Sequence, residues 1–270
     1  MKKSLRNYIL WTYGVFIVFL LIIGVTMILL KAHLAAEILK VISAWTSTFV
    51  FIIMFKKIYK QDKIISFIRL QFCRRINLRT LTIMILLQIV IFLLTLLFES
   101  HTESKPFNDL FYNSGSTLLT IFFIGLIKGP LGEELGWRGF VLNELQKKYN
   151  PLMSGFIVGV LWGFWHTPLW LLSGYKGFQL FQYIIFFMIA IISLSIIMTA
   201  FYNLNHNLFI PIIIHQLFNY SLGIQTGDLL DILTTTAILY LITAAIFIFT
   251  NYKNCLYKNR MIFNLKSYGQ

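Results

Sequence analysis

Apolar runs of about 18 to 30 residues alternate with short polar connections along nearly the whole chain. The runs lie at roughly 8–30, 38–55, 80–98, 116–146, 151–172, 179–200, 204–223 and 229–250. Runs of this length cross the hydrocarbon core as helices, so the pattern predicts about eight membrane spans. Short alternating strands do not occur in it, which argues against a barrel. With short connections throughout, residues 1–270 read as a single integral membrane domain, an all-α polytopic bundle. One polar stretch differs. Between 56 and 79, Ile64, Ile65, Phe67, Ile68, Leu70 and Phe72 interleave with basic residues, predicting an amphipathic helix at the membrane surface.

Composition agrees with this picture. The chain is 58% hydrophobic and only 12% charged, about half the charge of a soluble domain. Its net charge of +13 is unevenly placed. Lys2, Lys3 and Arg6 precede the first run. Lys56, Lys57, Lys60, Lys63, Arg69, Arg74, Arg75 and Arg79 fill the second connection. Lys147 and Lys148 follow the fourth run, and Lys253, Lys258, Arg260 and Lys266 lie in the tail. The alternate connections hold Glu37, Glu99, Glu103, Asp109, Asp228 and Asp231. This bias predicts a multi-pass plasma-membrane protein with both N- and C-termini in the cytoplasm. It also implies contact with anionic membrane lipid and not with nucleic acid. Cys73 and Cys255 fall on the reducing side without metal-ligand spacing. The charged start resembles a signal peptide, but the apolar run that follows lacks a cleavage site and reads as a span.

Against this background, charge inside the spans is the exception. The stretch Gly-Pro-Leu-Gly-Glu-Glu-Leu-Gly-Trp-Arg-Gly-Phe at 129–140 places Glu133, Glu134 and Arg138 in one run. A charge at the bilayer centre is unfavourable by roughly 2.5–3.5 kcal/mol on insertion scales, so it points to function. Two further runs carry polar groups: Trp162 and His166 in one, His215 and Asn219 in the other. At 1.5 Å per residue, Glu133, His166 and His215 lie about 17–22 Å from the basic end of their helices, near mid-bilayer. Glu134 and Arg138 are four apart and can pair. Glu133 points about 100° away, leaving its carboxylate free for chemistry. His215 and Asn219 share a face. Trp162 lies one turn before His166 and walls the site. Pro168 predicts a kink just past His166, and Pro211 a bend in the seventh run. Gly132, Gly136 and Gly139 thin the motif helix for close approach. His33, His101 and His206 read as loop residues. The first three runs read as an anchor, and 116–223 as the working core.

A carboxylate and an imidazole beside one water make a general base for hydrolysis. A second imidazole and a carboxamide N–H stabilise the oxyanion of a tetrahedral intermediate. Alternatively, Glu133, His166 and His215 hold Zn²⁺ with an open position for water. There is no His-Glu-x-x-His, no serine in a nucleophile elbow and no base beside either cysteine. Hydrolysis by activated water, with zinc or with no cofactor, is the enzymatic reading.

At these residues the chain resembles the CPBP family of CAAX proteases and bacteriocin-processing enzymes, also called the Abi family. The family pattern is Glu-Glu-x-x-x-Arg, then aromatic-x-x-x-His, then His-x-x-x-Asn or Asp. Here it is met by Glu133-Glu134 with Arg138, Trp162 with His166, and His215 with Asn219. Phenylalanine is common where Trp162 stands. The resemblance implies an eight-helix intramembrane endopeptidase acting on membrane-associated peptides or proteins, with a cavity open towards the cytosol or lipid. It implies that Glu133 and His166 activate water, that His215 and Asn219 stabilise the oxyanion, and that Arg138 holds Glu134. The competing readings are a non-catalytic bacteriocin-immunity or scaffold protein that binds a peptide, and a proton-coupled transporter. No internal repeat supports the transporter.

Overall fold

The computed structural model describes residues 3–60 and 62–258, apart from the side chain of Glu103. Lys2, Arg260 and Lys266 lie outside the described residues. The chain opens with α1 (Lys3–Ile28), followed by α2 (His33–Ala44) and α3 (Thr46–Ile58), which meet at Trp45 with a 52° bend. The amphipathic stretch forms α4 (Ile64–Phe72), burying Phe67 and Gln71. Next come α5 (Leu78–Glu103) and a short 3₁₀ turn. A 31-residue rod, Gly115–Leu145, follows. It consists of α6 (Gly115–Lys128), α7 (Pro130–Glu134), a π-helical segment (Leu135–Leu142) and α8 (Asn143–Leu145). The rest is α9 (Pro151–Trp165), α10 (Thr167–Leu171), α11 (Gly177–Asn205), α12 (Phe209–Ile224) and α13 (Leu229–Thr250). Side chains cap three of these starts: Asn77, Asn150 and Asp228 each accept a backbone N–H of the first turn.

The chain is an all-α, multi-pass membrane protein. Among the described residues, five helical rods are long and apolar enough to cross a membrane, or six if bent α2–α3 is one span. The other two expected spans are shorter, 15 residues in α9 and 16 in α12. At 1.5 Å per residue each reaches about 22–24 Å, short of a ~30 Å hydrocarbon core.

Pro168 breaks the helix where expected. Its ring removes a donor and clashes with the carbonyl four residues back. That carbonyl, of Phe164, instead accepts from the Thr167 hydroxyl at 2.6 Å, and the chain re-forms as α10. Pro211 does not bend α12. It is the third residue of that helix, where no intrahelical N–H is needed.

The two ends of the bundle are built differently. At the end carrying the basic connections, side chains lace the loops together. Asn203 donates to Gln146 and to the Cys255 carbonyl, and Asn207 donates to the carbonyls of Phe72 and Arg74. The Tyr59 hydroxyl reaches Glu144. At the opposite end the ties include a β-bridge between Phe111 and Gln225 and the Thr226 hydroxyl donating to the Asp109 carbonyl.

Candidate active site

The motif rod is held by the first three helices, which therefore do more than anchor. The Ser47 hydroxyl reaches the carbonyls of Gly132 and Glu133 at 3.2 and 3.1 Å. Tyr8 on α1 donates to the Ser47 carbonyl, and the Trp45 indole donates to Ile127. The approach is so close that a Cβ on Gly136 would stand 2.9 Å from the Ser47 backbone carbon. Such a backbone contact requires glycine. None of Tyr8, Trp45 and Ser47 belongs to a sequence motif, and they are joined to the rod only by folding.

Glu134 and Arg138 pair as their spacing predicts, at 2.9 Å, both fully buried. The same carboxylate oxygen accepts from His215 Nδ1 at 2.8 Å. Glu134 thus orients an imidazole on another helix as well as its own arginine, a role the spacing did not reveal. With Nδ1 engaged, Nε2 is the His215 nitrogen on the Gly129 side.

Trp162 is the centre of the arrangement. Its indole N–H donates to Glu133 Oε2 at 2.6 Å, and its carbonyl lies 2.8 Å from His166 Nδ1. The Arg138 guanidinium sits 4.1 Å from its ring centroid, within cation–π range. The His215 ring meets it edge-on at 4.9 Å. The phenylalanine common at this position keeps the ring contacts but has no N–H to give.

Glu133, His166, His215 and Asn219 all line one cavity of about 430 Å³. Gly129 marks where three of them converge. A Cβ there would lie 3.1 Å from Asn219 Nδ2, 3.5 Å from Glu133 Oε1 and 3.6 Å from His215 Nε2. Phe16, Leu20 and Ile23 of α1 and Lys40, Ser43 and Ala44 of α2 complete the wall. Sequence reasoning had assigned these helices no part in the site.

Among the described residues, no three His, Cys, Asp or Glu side chains converge as a metal-holding group. Glu133, His166 and His215 as placed therefore do not fit a zinc ion. The cavity's lining lies on the side of Glu133 away from the basic connections. Trp137, Arg138 and Phe140, which follow Glu133 in the rod, have no exposed surface.

Residues 115–221 match the family model described as type II CAAX prenyl endopeptidase Rce1-like. The chain is also 27% identical over 183 residues to CAAX prenyl protease 2 of Methanococcus maripaludis, covering 64% of this chain and 67% of that protein. The matched region contains all three motifs.

Proposed function

We infer, from this chain's membership of the CPBP family of intramembrane proteases, that it hydrolyses peptide bonds of membrane-associated peptides or proteins within the bilayer. The observation carrying this reading is the meeting of Glu133, His166, His215 and Asn219, from three separate helices, around one cavity. Glu133 is held at Oε2 by Trp162, leaving Oε1 towards the point beside Gly129. In this reading, Oε1 takes a proton from a water as the water oxygen attacks the scissile carbonyl carbon. His166, donating through Nδ1 to the Trp162 carbonyl, directs Nε2 at the same water. Asn219 Nδ2 and His215 stabilise the resulting oxyanion. Collapse breaks the C–N bond, and the proton held by Glu133 passes to the leaving nitrogen. Glu134 and Arg138 position His215 and the rod without touching substrate.

The charge bias supports a plasma-membrane location with both termini cytoplasmic. The test is turnover of a membrane peptide by purified protein in liposomes. Glu133→Ala and His166→Ala should each lower it by roughly 10²- to 10⁴-fold. Wild-type turnover in either variant overturns the mechanism.

A further inference from the structure

The direction of each helix fixes where the cavity lies. α1, α9 with α10, and α12 all run away from the basic end, and they line the cavity with their later portions, from Phe16, Trp162 and His215 onwards. α2 and α11 run the opposite way and contribute from their middle, at Lys40 and Phe187. The space therefore extends from Glu133 away from the basic connections. The short helices explain the opening. α9 stops at Trp165, and beyond the break Leu172 is exposed.

The rim on this side is charged. Lys40 and Lys128 both line the cavity, and each ammonium stands beside the same carboxylate, Glu37, at 2.6 and 3.5 Å. Two cations and one anion leave the rim with a surplus positive charge. Lys128 also borders a groove of about 440 Å³ between α2 and α6, lined otherwise by Ile38, Val41, Ile124, Ile127 and Glu37. The lipid-side groove and the cavity thus have Lys128 in common.

We propose that substrate reaches Glu133 from the membrane face opposite the basic connections, and that it is a peptide segment bearing a carboxylate which pairs with Lys40 and Lys128. Under the positive-inside rule that face is the outer one. The chemistry rests on the proteolytic reading above; the direction of access rests on the cavity alone.

Cysteine labelling in sealed vesicles tests the direction. Cys73, exposed on the basic connection, is a built-in reference for that face. In right-side-out vesicles carrying full-length Leu172→Cys, a membrane-impermeant maleimide should label position 172 and spare Cys73, with the reverse in inverted vesicles. Lys40→Cys is the second reporter, should the first variant fold poorly. Labelling of the new cysteine from the same side as Cys73 overturns the proposal. This result does not depend on whether Glu133→Ala is inactive, so failure of access and failure of catalysis are distinguishable.

The carboxylate is tested with paired peptides carrying Glu or Gln beside the cleaved bond. Neutralising both lysines (Lys40→Gln with Lys128→Gln) should raise KM for the Glu peptide roughly fivefold and leave the Gln peptide unchanged. An equal effect on both peptides overturns the assignment of the lysines.

Discussion

The Trp162 indole N–H donates to Glu133 Oε2 at 2.6 Å, so the residue next to the proposed catalytic carboxylate is a hydrogen-bond donor and not only a wall. This bond fixes which oxygen of Glu133 faces Gly129. Trp162→Phe keeps an aromatic ring at this position but removes the donor, together with part of the ring's buried volume. A hydrogen bond to a charged group is worth about 1.5–3 kcal/mol, so kcat should fall roughly 10- to 100-fold. The thermal midpoint in detergent should also fall through the lost packing, so kcat is read at a temperature where both proteins are folded. An unchanged kcat would show that Glu133 is positioned by its backbone alone.

Glu134 serves two partners, Arg138 and His215, with one oxygen. Glu134→Gln leaves Arg138 as a fully buried cation lacking its counter-charge, so stability should fall by about 3–5 kcal/mol. Replacing both members, Glu134→Leu with Arg138→Leu, removes the uncompensated charge and should destabilise less than the sum of Glu134→Leu and Arg138→Leu made singly, which with the wild type complete the cycle. Thermal unfolding of the four proteins gives the coupling directly. Strict additivity would count against the pair as a unit.

Gly136 and Gly14 offer a paired test of close packing. A methyl group at 136 would press on Tyr8 and on the Ser47 backbone, whereas a methyl group at 14 meets nothing within 4 Å. Gly136→Ala should cost about 1–3 kcal/mol through overpacking. Gly14→Ala should be neutral or stabilising, since alanine is favoured over glycine in a helix by up to ~1 kcal/mol. Equal melting shifts would mean that the α3 contact yields freely.

The donor geometry also bears on metal dependence. Since Glu133, His166 and His215 do not converge as a ligand set, chelator-treated protein should retain its turnover, and elemental analysis should find no stoichiometric zinc. Zinc bound one per chain and lost in His215→Ala would reverse this expectation.

Local spacing carried much of this site. Four-residue separations announced the Glu134–Arg138 pair and the shared face of His215 and Asn219, and proline chemistry announced the break at Pro168. Charge runs marked one end of the bundle before any coordinates. Hidden from the sequence were contacts made across long chain separations. Ser47 and the Glu133 carbonyl are 86 residues apart, and a serine among apolar residues has no periodicity to betray its partner. The π-helical turn at Leu135–Leu142 also has no side-chain signature, because it is a shift in backbone pairing that often accompanies function. Which end of the bundle the cavity faces was also not legible from spacing. Depth along a helix locates a residue but does not say which end of the bundle is filled by neighbouring side chains.

Gly129 gives the site a simple vulnerability. A single carbon attached to the protein's own backbone at 129 would stand within 3.6 Å of Asn219, Glu133 and His215 at once. A chain with alanine there could keep every motif residue and still be an inert peptide binder. The hydrogen in place of a side chain at 129 is thus what keeps that point open in this chain.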